Sequence, residues 1–355
     1  MFYRGKTKYM LTSTFTDQGY VSCLPELLTG ISRVYILKGA AGTGKATFIR
    51  LLGESMSELG YELEYWISAA DAVNPEGVYF PQLDLAVVNG SSPVCLEPRY
   101  PHISGEIINL SDYLNSALIK EHAGEIIKHF DQWEKLHREA GEHLLTAAQT
   151  RREMKKPAVA RHNMQQLYSL AERVYSEVTR PRNGERHFFA RAMTAEGYVD
   201  YVEAISSDCR QRFILTGPAG SGKSTILVEI ARKARQQGDS VEYYHCGLEY
   251  ESLILIILPA YSAAVIDGGG LQLNLKPWDK VINTETVLDN FDILKDIQGY
   301  SLAEHKYKES LCRAQEKLAE ANRELKALKR LYASKMDFEA LDRRRIALLQ
   351  ELTRG

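Results

Sequence analysis

The sequence predicts an α/β fold: two duplicated units of the P-loop type, each a mainly parallel sheet with helices on both faces, and each followed by a helical hairpin. Three observations predict it. A glycine-rich segment occurs twice, as Gly39-Ala40-Ala41-Gly42-Thr43-Gly44-Lys45 and as Gly217-Pro218-Ala219-Gly220-Ser221-Gly222-Lys223. The 178-residue offset from Gly39 to Gly217 also pairs Gly19-Tyr20-Val21 with Gly197-Tyr198-Val199, Glu64-Tyr65 with Glu242-Tyr243, Pro81 with Pro259, and Val87 with Val265. Strand-like and helix-like runs alternate in the same order around both segments.

Taken in order, an apolar strand (Val34 to Leu37; Phe213 to Leu215) enters each glycine-rich segment, and a helix leaves it (Ala46 to Leu59; Ser224 to Gln237). Gly60 and Gly238 stand where a helix end favours a left-handed residue. A second strand (Glu62 to Ile67; Val241 to Cys246) and a third (Leu85 to Val88; Ala263 to Ile266) complete each unit. Apolar residues then recur at spacings of three and four, from Ile119 through Phe130, Trp133, Ala140 and Leu144 to Ala147, and from Tyr307 through Ala314, Leu318 and Leu328 to Tyr332. Such seams mark long helices buried along one stripe. Met154 to Pro157 and Ser334 to Asp337 read as turns into returning helices, the second with Phe338, Leu341, Leu348 and Leu352 on its apolar face. The expected parts are residues 1–110 and 186–300 for the two units, and 111–185 and 301–355 for the hairpins. Each hairpin is expected to pack on its own unit; the alternative is a homodimer or a protein partner engaged through the hairpins.

With 355 residues, 45% of them hydrophobic and 25% charged, the chain has the composition of a globular protein of two or more domains. A net charge of −2 argues against a dedicated nucleic-acid binder. Cys23, Cys95, Cys209, Cys246 and Cys312 are scattered and odd in number, which fits a reducing cytoplasm better than a disulfide framework. The apolar run 253–258 is too short to cross a membrane, and no signal-peptide core follows the first residues.

The segment from Gly217 to Thr225 matches G-x-x-x-x-G-K-[S/T] in full. Glycines let backbone N–H groups and a helix N-terminus converge on phosphates, the lysine reaches the β and γ phosphates, and the next hydroxyl ligates magnesium. Nucleotide contacts are therefore expected from Gly217, Pro218, Ala219, Gly220, Ser221, Gly222, Lys223, Ser224 and Thr225. Asp267, ending an apolar strand, is the expected second magnesium anchor beside Ser224, and an ordinary turn residue is the alternative. In the first copy Gly39, Gly42, Thr43, Gly44 and Lys45 could still hold phosphates, but Ala46 replaces Ser224 and Asn89 replaces Asp267. Both losses strike the same ion, so the first half is expected to be regulatory or structural and the second catalytic. Glu249 and His245 are candidates to orient water or an acceptor hydroxyl. Lys276, Lys280 and Arg343-Arg344-Arg345 are the cations available for a transition state, and Asp267 to Gly270 could close over the γ-phosphate.

The order Arg186-His187-Phe188-Phe189-Ala190, Thr194 to Gly197, the second loop, Val241 to Gly247 and Asp267-Gly268 resembles a little-characterised family of bacterial tandem P-loop ATPase-like proteins. The resemblance implies a P-loop NTPase fold over most of the chain. Members carry an Asp-Gly-Thr-type segment and Pro-His after the third strand, where this chain has Asn89 to Val94 and Asp267 to Gly270. The leading expectation is ATP hydrolysis with Mg2+ in the second half, coupled to rearrangement. A small-molecule or nucleotide kinase and a nucleotide-responsive interaction protein are the alternatives.

Overall fold

A computed structural model describes residues 4–176, 184–269, 273–288 and 297–353. The first half runs β1 (Thr7–Thr16), β2 (Gly19–Ser22), α1 (Leu24–Leu27), β3 (Arg33–Lys38), α2 (Lys45–Glu58), β4 (Leu63–Ser68), β5 (Asp71–Phe80), β6 (Leu85–Asn89), β7 (Gly105–Asn109), α3 (Ser116–Lys120), α4 (Ala123–Val159) and α5 (Met164–Ser176). The second runs β8 (Glu185–Phe189), β9 (Arg191–Thr194), β10 (Gly197–Asp200), α6 (Val202–Ser206), β11 (Gln211–Thr216), α7 (Lys223–Gln236), β12 (Val241–His245), β13 (Leu253–Leu258), β14 (Ala263–Asp267), β15 (Lys280–Asn283), α8 (Ile297–Ala333) and α9 (Phe338–Thr353). The two orders are alike, except that β8 and β9 stand in the place of β1 and that α3 has no counterpart among the described residues of the second half; α4 and α8 are each 37 residues long. No described helix is long and apolar enough to cross a membrane.

One mixed sheet carries both halves, in the order β15-β11-β14-β13-β12-β8-β1-β4-β5-β6-β3-β7, with β2 on β1. Along this path the strands of each half run parallel except β5 or β13, which is antiparallel to both neighbours; β2 is antiparallel to β1, and β9 and β10 form a separate antiparallel pair. The sheet is mostly parallel, as expected, but the three strands expected per unit are joined by others, among them the reversed β5 or β13. β13 is buried at all six positions, so it shows no polar alternation to mark it as a strand. A 3-10 turn beginning at Pro81 or Pro259 reverses the chain, closed by Asp84 or Ser262 in the left-handed region. The halves meet where β1 pairs antiparallel with β8 at Leu11 and Phe189, and Arg186 forks onto Glu64 across that seam.

The helical arms depart from expectation. α4 and α8 lie antiparallel against each other, tied by His129 to Glu324 at 2.6 Å and Lys317 to Glu139 at 2.9 Å. Ala140, Ala147, Ala314 and Ala321 are fully buried, and their small side chains let the helices approach closely. α4 continues through Pro157 to Val159, so the turn placed at Met154 to Pro157 lies a few residues later; the turn at Ser334 to Asp337 is where the sequence put it. At 1.5 Å per residue such a helix is about 55 Å long, enough to leave its own unit. α5 consequently packs on α7, and α9 packs on α2. Each return helix covers the glycine-loop helix of the other half, not of its own.

Candidate functional site

Each glycine-rich segment joins a buried strand to a helix. Gly217, Gly220 and Gly222 have φ of 138°, 83° and 86°; Gly39, Gly42 and Gly44 have 142°, 83° and 92°. Side chains other than glycine avoid these conformations. α7 and α2 begin at Lys223 and Lys45, and neither has a side chain capping its first N–H groups, which leaves those donors facing the loop. Lys223 Nζ donates to Gly217 O at 3.0 Å, Pro218 O at 2.8 Å and Ser221 Oγ at 3.3 Å; Lys45 Nζ donates to Gly39 O at 2.7 Å and Ala40 O at 2.8 Å. Thr284, just past β15, bonds Ser221 Oγ at 2.6 Å and donates to Thr216 O, fixing the base of the second loop.

β14 is hydrogen-bonded beside β11, with Leu215 opposite Asp267. That adjacency brings Asp267 Oδ1 to 3.8 Å from Lys223 Nζ, while the same oxygen accepts from Gly269 N–H. Burial lowers the pKa of Lys223; Asp267 opposes the shift, and Arg151 and Lys155 add to it. In the first half Asn89 Oδ1 accepts from Ser91 N–H, and Ser91 Oγ donates to Gly39 O. With no carboxylate at that place, burial and then Lys329 push Lys45 down to about 8.

Ser224 Oγ accepts from the backbone N–H of Leu253, the first residue of β13, at 3.0 Å. A serine oxygen keeps a second lone pair, so a cation ligand remains available. Leu253 pairs with His245 just as Pro75 pairs with Ile67. Pro75 has no N–H to give, and Ala46 has no oxygen to receive one, so the change at residue 46 also has a purely structural partner.

Glu249 follows β12 and is buried, held by Lys155 Nζ and by Arg151 Nε at 3.7 Å. Both cations come from α4, in the first half. Arg151 Nη1 also donates to Cys246 Sγ at 3.3 Å. The contact of the arm with the loop is intimate: a Cβ on Gly220 would stand 2.6 Å from Lys155 O, and one on Gly222 would stand 2.5 Å from Leu167 of α5. His162 Nε2 meets Gly220 O at 2.5 Å. The first loop repeats this with Lys329 O against Gly42, Leu341 against Gly44, and Lys329 Nζ on Asp71 at 2.6 Å.

Compared with known protein families, with curated proteins and with solved structures, the chain matches none. The functional reading therefore rests on this geometry.

The other candidates lie elsewhere. His245 faces β8, where its Nε2 meets His187 Nδ1 at 2.8 Å and its Nδ1 donates to Tyr250 O; burial holds its pKa at about 4. Lys276 Nζ donates to Ser207 O, and Lys280 Nζ lies 5.3 Å from the centre of the Phe213 ring. Arg344 and Arg345 pair with Glu106, Glu351 and Asp342 around α9. Gly270 is outside the described residues. Arg151 and Lys155 are the cations that sequence reasoning missed. Their i, i+4 spacing puts them on one helix face, but only the crossing of α4 brings that face to the second loop.

Proposed function

We propose that the chain is a tandem P-loop NTPase that binds ATP at residues 217–225 and hydrolyses it there, with the arm α4–α5 moving in response. One observation carries the reading: an uncapped helix start, Lys223 and Asp267 converge on a glycine loop against which the opposite half lays Arg151 and Lys155. Ser224 and Asp267 offer the hard oxygen donors that magnesium takes, and a bound ion there would offset phosphate charge.

In this proposal the chain's own groups divide the work. The loop N–H groups and Lys223 hold the β and γ phosphates. Arg151 and Lys155 supply positive charge from the other half, where it stabilises the charge that develops on phosphoryl transfer. A triphosphate competes with Glu249 for Lys155. The exchange frees a buried carboxylate to orient water and shifts the helix that carries the lysine, which couples turnover to the arms. The duplication of the two units and the likeness to tandem P-loop ATPase-like proteins belong to the same proposal.

The test is a nucleotide-binding and hydrolysis panel on wild type and Lys223→Ala, with and without candidate acceptors. Acceptor-independent release of ADP, lost in the variant, is the expected result. Acceptor-dependent release would replace the ATPase by a kinase, and tight binding without release would replace it by a nucleotide-responsive interaction protein.

A further inference from the structure

A cavity of about 540 Å³ opens on the first loop, the one without the aspartate. Its phosphate end is Gly39 to Thr47 with Lys45 and Lys329; its walls are Phe130 and Trp133 of α4, Leu325 and Tyr332 of α8, and Phe338 of α9. Phe130 and Trp133 lie with ring centroids 5.7 Å apart, and the Trp133 indole N–H is buried with no hydrogen-bond partner. The two 37-residue helices α4 and α8 align end to end, Ala123 with Ile297, which sets Glu304 at the place of Phe130, Tyr307 at that of Trp133, Arg151 at that of Leu325 and Ala158 at that of Tyr332. The first site has therefore exchanged charge for flat apolar surface.

The charges beside the two lysines differ in a way that decides the metal requirement. At the second loop an incoming phosphate meets the Asp267 carboxylate, and a divalent cation between them removes the repulsion. At the first loop the same place holds neutral Asn89, and Asp71, which also lines the cavity, is paired with Lys329 Nζ at 2.6 Å, so Lys45 and the helix N-terminus act on an anion with no carboxylate in the place of Asp267. Half-buried Glu76 also lines the cavity, where desolvation raises the pKa of its carboxyl against the opposing hydrogen bonds that Ser13 and Thr12 donate to it.

We propose that this cavity binds an organic phosphate with a flat aromatic body, of the nucleoside diphosphate kind, without a metal ion and without turning it over. The phosphate lies on the loop 39–45 and the ring among Phe130, Trp133 and Tyr332. The inference rests on the reading of the glycine loops as phosphate sites, and the following experiment separates the two.

Lys223→Ala is titrated with ADP in excess EDTA, by calorimetry and by tryptophan fluorescence. One ADP per chain with quenching is expected, the quenching lost but the heat retained in Trp133→Phe. Adding Lys45→Met should weaken binding by about tenfold or more. Tyr332→Ala, which leaves the loop intact, should weaken ADP about fivefold and inorganic phosphate not at all. Absence of EDTA-resistant binding, while wild type still binds ATP with magnesium at the second loop, overturns this inference and spares the reading beneath it. Failure of both titrations overturns both. Tighter binding of geranyl diphosphate than of ADP overturns the assignment of a flat ring.

Discussion

The two glycine loops share a backbone and differ in what surrounds it. Their glycine φ angles agree within a few degrees, and in each the lysine turns back onto the first two loop carbonyls. Each receives the tip of the opposite arm, with Lys155 or Lys329 against the middle glycine and Leu167 or Leu341 against the last. The differences lie at Ser224 and Ala46, Asp267 and Asn89, Arg151 and Leu325. The comparison teaches that the scaffold constrains the loop shape through packing, while the charges and oxygen donors beside the loop depend on a few side chains free to change.

The largest expected effect tests that division directly. Lys223→Ala should lower triphosphate turnover by about a thousandfold, while Lys45→Ala leaves it within a few-fold, because in the proposed function only the second loop has both a hydroxyl and a carboxylate, Ser224 and Asp267, to offer magnesium. Equal losses in a steady-state phosphate-release assay would break the asymmetry. Packing should instead respond alike on both sides. Leu167→Ala and Leu341→Ala, each removing a buried anchor from the partner half's loop helix, should each cost about 3 kcal/mol in urea unfolding.

The crossed cations sharpen the comparison. Arg151→Ala should reduce kcat at the second loop about a hundredfold. Lys329→Ala, its counterpart in approach to the first loop, should leave kcat unchanged. A normal kcat in Arg151→Ala would remove the arm from the chemistry.

Acid should separate the halves next. His245 and His187 hydrogen-bond to each other, whereas the corresponding first-half residues are Ile67 and Tyr9. Burial lowers His245 from its ordinary 6.5 to about 4, so the stability it contributes is complete above pH 6.5 and is lost as pH falls toward 4. At pH 5 the loss approaches about 2 kcal/mol. Hydrogen exchange should show β8 and β12 opening before β1 and β4, and His245→Ile should flatten that dependence. The smallest effect is a gain. Ala46→Ser with Asn89→Asp should add magnesium dependence to nucleotide binding in the first half, about tenfold by calorimetry. Adding Pro75→Leu restores the N–H that Ser224 receives from Leu253 in the second half. No gain in the triple variant would sink the argument from missing ligands.

Part of this was legible before any coordinates. The paired glycine segments, the helices that follow them and the left-handed Gly60 and Gly238 that end them all appear where spacing put them, because local backbone chemistry decides those features. Asp267 beside Lys223 was also legible, as the end of an apolar strand next to the loop strand. β13 was not recognised as a reversed strand. A run buried on both faces carries no alternation, and strand direction is set by its neighbours.

The sequence by itself determined two glycine loops of one shape, two long helices each with a buried stripe, and an unequal supply of oxygen ligands. These are properties of short segments, where steric allowance and spacing suffice. Tertiary structure alone decided that α4 and α8 bury their stripes against each other, and so deliver Arg151, Lys155, Lys329 and Tyr332 to the loop of the other half, while Phe130 and Trp133 stand beside the loop of their own. A heptad stripe specifies that a face is buried and leaves its partner open; the choice falls to whichever surface lies within the helix's length.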